Sequence, residues 1–170
     1  MLFGNSSCWF AIQVKPGLEF KISSVLKCKG YEESVPKYRL SDRDGRYAEK
    51  PLFPGYIFCR FDPAVRAPIV TTPGVIRVVG YGKTPAFLSD SEMDAVQTVV
   101  SSNLPAKPCC YEVPGQRVRI TEGPLRGVEG NVAQTGDQRR LIVSLTLLHR
   151  SIAVEVDPAW LEIVRNDSRS

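Results

Sequence analysis

The side chains that could perform catalysis or hold a metal are few, and their spacing matches no known reactive arrangement. His149 is the only histidine. No two cysteines form a Cys-x-x-Cys pair; the five are Cys8, Cys28, Cys59, Cys109 and Cys110. A zinc site usually takes its ligands from cysteine and histidine, and catalysis needs a poised acid, base, nucleophile or metal. The sequence therefore predicts a protein that is not an enzyme and that binds no metal or other cofactor.

Aromatic and basic side chains cluster between residues 37 and 61, where they favour binding chemistry. The aromatic part is Phe53-Pro54-Gly55-Tyr56, and the basic part before it consists of Arg39, Arg43, Arg46 and Lys50. These cations could contact the phosphates of a nucleic acid, while Tyr38 or Tyr47 could stack on an unpaired base. A solvated hairpin tip is an equally good interpretation, because three carboxylates lie among the cations.

The run from Tyr56 to Phe61 alternates as a strand does. Ile57, Cys59 and Phe61 share one face, and Tyr56, Phe58 and Arg60 share the other. The first face predicts a buried surface, and the second suits partial cover or a partner. Aromatic residues within strands are usually structural, so a second small core filled by Phe53 and Tyr56 is an open alternative.

The pattern of elements up to residue 102 predicts an α+β fold. Apolar periodicity, glycine and proline positions and a capping box at Ser89 mark the elements. They are a strand at 9–14, a helix at 18–29, a strand at 34–40, a polar hairpin tip at 41–50 that turns at Asp44-Gly45, a strand at 56–61, a short helix at 62–70, a buried strand at 75–79 and a helix after Ser89. This order predicts an antiparallel sheet with helices, of the split β-α-β or ferredoxin-like kind.

The residues after 102 have a different pattern of proline, glycine and apolar positions. Three prolines and no apolar period predict a linker at 103–114. From 115 to 165, glycines stand at corners between short alternating runs, which predicts a small five-stranded β-barrel. Residues 166–170 are expected to be a disordered tail.

Composition agrees with a two-domain globular protein. The 170 residues carry a net charge of +4, and 43% are hydrophobic. No apolar stretch approaches the ~18 residues that a membrane span needs. Cys28 and Cys59 fall on apolar positions and are expected to be buried thiols. We therefore expect a cytoplasmic monomer without a membrane span.

Two motifs resemble the NusG family of bacterial transcription elongation and antitermination factors. Phe53-Pro54-Gly55-Tyr56-Ile57-Phe58 is similar to the family's Phe-Pro-Gly-Tyr-Val signature. The KOW motif is matched by Gly115, Val118, Ile120, Gly123, Pro124, Gly127 and Gly130. The resemblance covers nearly the whole chain. It implies a ferredoxin-like N-terminal domain and a small SH3-like KOW barrel.

The resemblance also implies partners. In the family, the first domain grips the clamp helices of the largest RNA polymerase subunit, and the matching positions are Phe53, Pro54, Gly55 and Tyr56. The basic residues Arg39, Arg43, Arg46 and Lys50 would then touch upstream or non-template DNA. The implied function is processive elongation with pausing or termination suppressed.

The KOW half carries its own expectations. In the family it contacts the termination factor Rho or a small-subunit ribosomal protein, and the matching positions are Leu125, Val128, Leu147 and Leu148. Because these are aliphatic where several members have phenylalanine, a specialised paralogue is favoured, and a barrel-core role for Val128 and Leu147 stays open. The alternative function is an RNA-binding or ribosome-associated KOW protein without polymerase contact.

Overall fold

The computed structural model describes residues 8–111 and 115–165, which fall into two compact units, Met1–Met93 and Asp94–Ser170. All strand pairs recorded among these residues are antiparallel. The predicted mixture of a few helices with many antiparallel strands is confirmed. Within the described ranges, no helix has both the length and the apolar character needed to cross a membrane.

The strands of unit 1 are short, between two and six residues long. Its strands are β1 (Trp9–Val14), β2 (Glu32–Ser34), β3 (Lys37–Ser41), β4 (Tyr47–Pro51), β5 (Tyr56–Arg60), β6 (Val75–Val78), β7 (Gly80–Tyr81), β8 (Thr84–Pro85) and β9 (Phe87–Leu88). Its helices are α1 (Glu19–Cys28) and α2 (Ala67–Val70), with a 3-10 turn at Pro63–Val65. A third helix, α3 (Asp90–Ser101), contains the boundary between the units.

Unit 2 consists mainly of strands. They are β10 (Ala106–Cys109), β11 (Gln116–Ile120), β12 (Glu129–Thr135), β13 (Gln138–Leu145), β14 (Arg150–Glu155) and β15 (Leu161–Ile163), with 3-10 turns at Thr146–Leu148 and Pro158–Trp160.

The main sheet of unit 1 has the strand order β2-β5-β1-β6, and β9 also pairs with β1. One face of this sheet forms the main core with the apolar side of α1, where Ile22 and Leu26 are buried. The predicted apolar face of β5 lies in this core: Ile57, Cys59 and Phe61 are all buried. Burial, with the charges of Glu33 and Glu32, raises the pKa of the Cys59 thiol to about 12.

Several local expectations for unit 1 were wrong. The strand predicted at 34–40 is two strands, β2 and β3, which lie in different sheets on either side of Pro36. Proline has no backbone N–H to donate to a continuous ladder. Cys28 is exposed at the end of α1. The strand at 75–79 was expected to be buried, yet β6 is at the edge of the sheet and Ile76 is exposed.

Helix α3 begins at the predicted capping sequence. The backbone N–H of Glu92 donates to Ser89 Oγ at 3.2 Å. This bond satisfies one of the N–H groups that the first turn of a helix leaves without a partner.

The sheet of unit 2 has six strands, in the order β10-β14-β13-β12-β11-β15. Five of them lie within residues 115–165, the number predicted for that segment. The added strand, β10, lies in the segment predicted as a linker, and Ala106–Cys109 pair with Ser151–Val154 of β14. Pro108 concealed this strand in the sequence, but an edge strand tolerates a proline that faces away from the ladder. The interior residues alternate along the strands, as Val118 and Ile120 do on β11.

Gly130 allows a close approach between strands of unit 2. A Cβ atom at this position would lie 2.4 Å from the carbonyl oxygen of Ile142. We expect Gly130→Ala to lower the free energy of unfolding of unit 2 by about 1–3 kcal/mol, because backbone must move to relieve the overlap. Thermal unfolding measures this change. Gly136→Asn is the control, since Gly136 has a left-handed φ of +62° that asparagine tolerates and open space around it; equal losses in both variants would contradict the packing argument.

Candidate partner-binding surfaces

The Phe53-Pro54-Gly55-Tyr56 segment forms a tight turn into β5. The backbone N–H of Tyr56 donates to the carbonyl oxygen of Phe53 at 3.1 Å. Gly55 has a φ of +85°. Proline at the second position and a positive-φ glycine at the third are the preferences of a type II turn. Pro54 and Gly55 of the motif therefore determine the local shape of the backbone, whether or not the motif contacts a partner.

The turn places its four residues in different environments. Phe53 is only 1% exposed and its ring packs edge-on against Phe58, with 5.5 Å between the ring centroids. Gly55 is buried, Pro54 is exposed and Tyr56 is half-buried. The position of Phe53 agrees with the alternative of a second small core. Pro54 and Tyr56 are the members of the motif that a partner can reach in this conformation.

A buried carboxylate fastens this turn to the start of α1. Glu19, which is 3% exposed, accepts a hydrogen bond from the Gly55 N–H at Oε1 and another from the Gly17 N–H at Oε2, both at 2.8 Å. The two glycines are far apart in sequence, so Glu19 ties two loops together. Sequence reasoning missed this residue, because a glutamate in the first turn of a helix is ordinarily a solvated partner of the helix dipole.

Three Pro-Gly turns meet at the end of β1. Lys15–Leu18 and Thr72–Val75 close with the same hydrogen bond as Phe53–Tyr56, and Gly17 and Gly74 also have positive φ values. The backbone N–H groups of Val14 and Lys15 donate to the carbonyl oxygens of Gly55 and Gly74, at 2.8 and 2.9 Å respectively. The recurrence of Pro-Gly in the sequence was the available signal for this cluster.

The strands place two polar residues beside Tyr56. Gln13 on β1 is the cross-strand partner of Tyr56 on β5 and of Arg77 on β6. Arg77 Nε donates to Gln13 Oε1 at 2.9 Å. We call Gln13, Pro54, Tyr56 and Arg77 the Tyr56 patch. Gln13 and Arg77 were not predicted, because strand register between distant segments cannot be read from either segment alone.

The predicted basic hairpin is a two-stranded ribbon formed by β3 and β4. Its tip is held by Asp42, whose Oδ1 accepts from the N–H groups of Asp44 and Arg46 at 2.9 and 2.8 Å. The register puts Arg39 opposite Glu49 on one face and Lys50 opposite Tyr38 on the other. Arg39 and Lys50 therefore lie on opposite faces of the ribbon, and Arg43 and Arg46 lie at its tip. The four predicted cations do not share one face.

One carboxylate of the ribbon is engaged by a lysine. Lys37 Nζ lies 2.7 Å from Glu49 Oε2. This hydrogen bond, together with the charges of Lys37 and Arg39, holds the pKa of Glu49 below its usual value. The repulsion that Glu49 exerts on an approaching phosphate is thereby reduced.

The N-terminal half of the chain matches a family model over residues 7–97, and the model is described as transcription termination factor nusG. The chain belongs to the NusG family. It is 27% identical over 163 residues to the NusG of Campylobacter jejuni, covering 87% of this chain and 92% of the relative. It is also 27% identical over 172 residues to the NusG of Escherichia coli K12, covering 91% and 94%. Both relatives are named transcription termination/antitermination protein.

A solved structure of Thermotoga maritima NusG shares the fold. The TM-score is 0.62 at 18% identity, and the match covers 94% of this chain and 98% of that one. Phe53–Tyr56 and the ribbon lie inside the residues that match the NusG model, and the KOW candidates lie outside them.

The KOW candidates of this NusG-family chain are mostly interior. Leu125, Val128 and Leu148 are buried, and Leu147 is half-buried. The Val128 N–H donates to the Leu125 carbonyl at 3.0 Å, so these two belong to one tight corner. Leu147 stands in the 3-10 turn before His149, which has a left-handed φ of 48°. Leu147 is thus the candidate that a partner can reach.

An exposed ion-pair cluster on unit 2 was not foreseen from the sequence. Glu129 on β12 lies opposite Arg119 on β11 and accepts from it at 2.6 Å, while Arg117 reaches its other oxygen at 3.2 Å. The hydrogen bond from Arg119 is the main reason that the pKa of Glu129 is below its usual value. Such exposed pairs contribute little stability, so their effect is mainly on surface charge.

Over residues 8–111 and 115–165, the structure brings no three histidine, cysteine, aspartate or glutamate side chains into a group that could hold a metal.

Proposed function

We propose that this NusG-family chain is a transcription elongation and antitermination factor that docks on the clamp helices of the largest RNA polymerase subunit. The observation that carries the proposal is the family match over residues 7–97, which includes the Phe53–Tyr56 turn with Tyr56 accessible. The names of the relatives support the same process. The chain would act in the cytoplasm as a monomer and as a binding protein rather than an enzyme.

The Tyr56 patch is the proposed polymerase contact. Tyr56 and Pro54 supply rigid apolar area, and Gln13 and Arg77 supply polar groups at its margin, an arrangement typical of an anchor with a polar rim. Phe53 and Gly55 are part of the proposed site because they hold Pro54 and Tyr56 in position. Phe53 fills the space beneath the turn, and Gly55 has the positive φ that gives the turn its backbone shape.

The proposed mechanism is preferential binding to one state of the polymerase. A factor that binds the closed clamp better than the open one shifts the enzyme toward the closed, processive state, and its effect is limited by that difference in affinity. Contacts of Arg39, Arg43, Arg46 and Lys50 with upstream or non-template DNA would add to this difference. Such contacts bring a salt-dependent gain without sequence preference.

We also propose the finer architecture. The main-sheet order β2-β5-β1-β6, with helices after β1 and after β5, supports a ferredoxin-like domain over residues 8–102. The short antiparallel strands of residues 115–165 support an SH3-like KOW barrel. Residues 103–114 connect the two domains and contribute β10. The expected disorder of the tail, 166–170, lies outside the described residues.

For the KOW barrel we propose contact with Rho or a small-subunit ribosomal protein. The contact would be centred on Leu147, with Leu125, Val128 and Leu148 as its interior support. Aliphatic residues at these positions support a specialised paralogue.

Binding to a purified clamp-helix fragment tests the polymerase contact. We expect Tyr56→Ala to weaken binding by about 2 kcal/mol or more, because it removes the aromatic anchor. Tyr81→Ala is the matched control, since Tyr81 is a tyrosine of the same unit with 76% of its surface exposed. Isothermal calorimetry on the full-length chain measures both.

Absence of binding by the unmodified chain would contradict the polymerase contact. The alternative of an RNA-binding or ribosome-associated KOW protein would then be favoured, and it predicts binding that depends on arginine and lysine with a steep salt dependence. Equal weakening by the Tyr56 and Tyr81 variants would place the contact elsewhere on unit 1.

A further inference from the structure

We propose that residues 106–111 form a strap that docks reversibly on the sheet of unit 2 and whose release lengthens the connection between α3 and that sheet. The sequence predicts a linker here, yet the segment contributes β10 and pairs with β14. The strap is a property of this chain alone. It can therefore be tested without any of the proposed partners.

The strap is fastened near both of its ends. At its start, the Glu155 N–H donates to the carbonyl oxygen of Pro105 at 3.1 Å, and Ala106–Cys109 continue along β14 as β10. At its end, the ring of Tyr111 packs on the ring of His149, with 4.8 Å between the ring centroids. In this conformation, residues 106–111 therefore follow the surface of unit 2.

The strand register explains how β10 joins the sheet although it contains a proline. Neighbouring residues of an antiparallel strand direct their N–H groups to opposite sides. The bond to Pro105 therefore sets the N–H groups of Lys107 and Cys109 toward β14. Pro108, which has no N–H, faces the open edge of the sheet. Among the described residues, β14 is the one strand that pairs with β10.

Few buried contacts hold β10 in place. None of its four residues is buried: three are half-buried and Lys107 is exposed. By contrast, Ile152 and Val154 on the neighbouring strand β14 are fully buried. An edge strand with little buried apolar surface belongs to the least stable part of a fold, which opens locally while the rest stays folded. We therefore expect the strap to be released without unfolding of β11–β15.

Release changes the length of the connection. With β10 docked, only residues 102–105 join α3 to the sheet, and four residues span at most about 14 Å. After release, residues 102–115 join α3 to β11, and fourteen residues span up to about 50 Å. A connection too short to span two binding sites prevents their simultaneous occupation. The strap would thus determine how distant a partner unit 2 can reach while unit 1 is bound.

Amide hydrogen exchange of the full-length chain tests whether docking is reversible. We expect the Lys107 amide to exchange at least about 10-fold more slowly than in an unstructured chain, yet at least about 10-fold faster than the amide of Leu141 on β13. The Leu141 amide reports opening of the whole sheet, because strands on both sides pair with β13 at that residue. Equal exchange of the two amides would mean that β10 opens only when the sheet unfolds. Exchange of the Lys107 amide at the unstructured rate would mean that the strap is not docked, and either result would overturn the proposal.

Lys107→Pro and Lys107→Ala are the matched variants. Proline at this position removes an N–H that faces β14, whereas alanine removes only an exposed side chain. Cys109 reports the difference, because burial is the main reason that the pKa of its thiol is above its usual value, and the thiolate is the form that reacts. In a Cys110→Ser background, we expect iodoacetamide to label Cys109 about 10-fold faster in Lys107→Pro than in Lys107→Ala, relative to the exposed Cys28 of the same protein. Peptide mass spectrometry measures the labelling, and retained protection of the Leu141 amide shows that the rest of the sheet is folded.

Small-angle X-ray scattering measures the reach. Lys107→Pro should have a larger radius of gyration than Lys107→Ala. A second comparison uses Ser151→Cys in the same Cys110→Ser background, because Ser151 is the cross-strand partner of Cys109 and a disulfide between the two positions would hold the strap in place. The radius of gyration should then increase when this disulfide is reduced. Equal labelling of Cys109 in the two Lys107 variants, or equal radii of gyration in the oxidised and reduced forms of Ser151→Cys, would overturn the proposal.

Discussion

Phe53→Ala should lower the free energy of unfolding of unit 1 by about 3–5 kcal/mol, the usual loss when a buried phenylalanine is removed. The ring of Phe53 is buried and packs on Phe58, so its loss leaves a cavity under the turn. Tyr56→Ala should cost about 1 kcal/mol, because the side chain is half-buried and no core collapses around it. Within the motif, Phe53 would then stabilise the turn and Tyr56 would contact the partner.

Trp9 provides the measurement. It is buried in unit 1, and the second tryptophan of the chain is Trp160 in unit 2, so a Trp160→Phe background leaves Trp9 as a specific reporter. Urea unfolding followed by its fluorescence gives the stability of unit 1. Phe53→Leu is the control, since it retains most of the buried apolar volume and should lose much less than Phe53→Ala. A Phe53→Ala protein as stable as the Tyr56 variant, yet unable to bind the clamp-helix fragment, would make Phe53 a contact residue.

The main helices and strands of unit 1 could be predicted from the sequence because each of them has a local sequence signal. The alternation in β5 identified its buried face, the apolar period identified α1, and Ser89 marked the start of α3. Each of these signals lies within one element and needs no knowledge of its neighbours. No such rule covers Phe53, because it lies in the turn before β5, where a period of two does not apply.

The features that could not be predicted from the sequence depend on strand register and on contacts between distant segments. The Tyr56 patch exists because β1 lies between β5 and β6, and the division of the ribbon into two faces follows from the β3–β4 pairing. The strand β10 was concealed by proline in a segment without an apolar period. In unit 2, corner glycines predicted short strands, but which aliphatic side chains turn inward depends on how tightly each corner closes, and Leu125 and Val128 close inward.

Glu19 illustrates how a long-range contact can hold a candidate site in place. Glu19→Ala should lower the free energy of unfolding of unit 1 by about 1–3 kcal/mol, because the buried N–H of Gly55 loses its acceptor and is left without a partner. The N–H of Gly17 also loses its acceptor, but Gly17 is exposed and water can replace the carboxylate there. Glu19→Gln should cost less, since its amide oxygen still accepts one of the two bonds. Urea unfolding with Trp9 as reporter measures the loss.

Amide hydrogen exchange of Gly55 in the Glu19 variants tests the cause as well as the size of the effect. If Glu19 fastens the turn, the Gly55 amide should exchange faster in Glu19→Ala by more than the loss of global stability accounts for, because the turn opens locally while β1 and β5 stay paired. The control is Glu32→Ala, which removes a carboxylate that is largely exposed and leaves both glycine bonds intact. Unchanged relative protection of Gly55 in Glu19→Ala would mean that the Pro-Gly turn keeps its shape without the carboxylate. In that case the bonds from Val14 to Gly55 and from Tyr56 to Phe53 would suffice to present Tyr56, and Glu19 would act on stability alone.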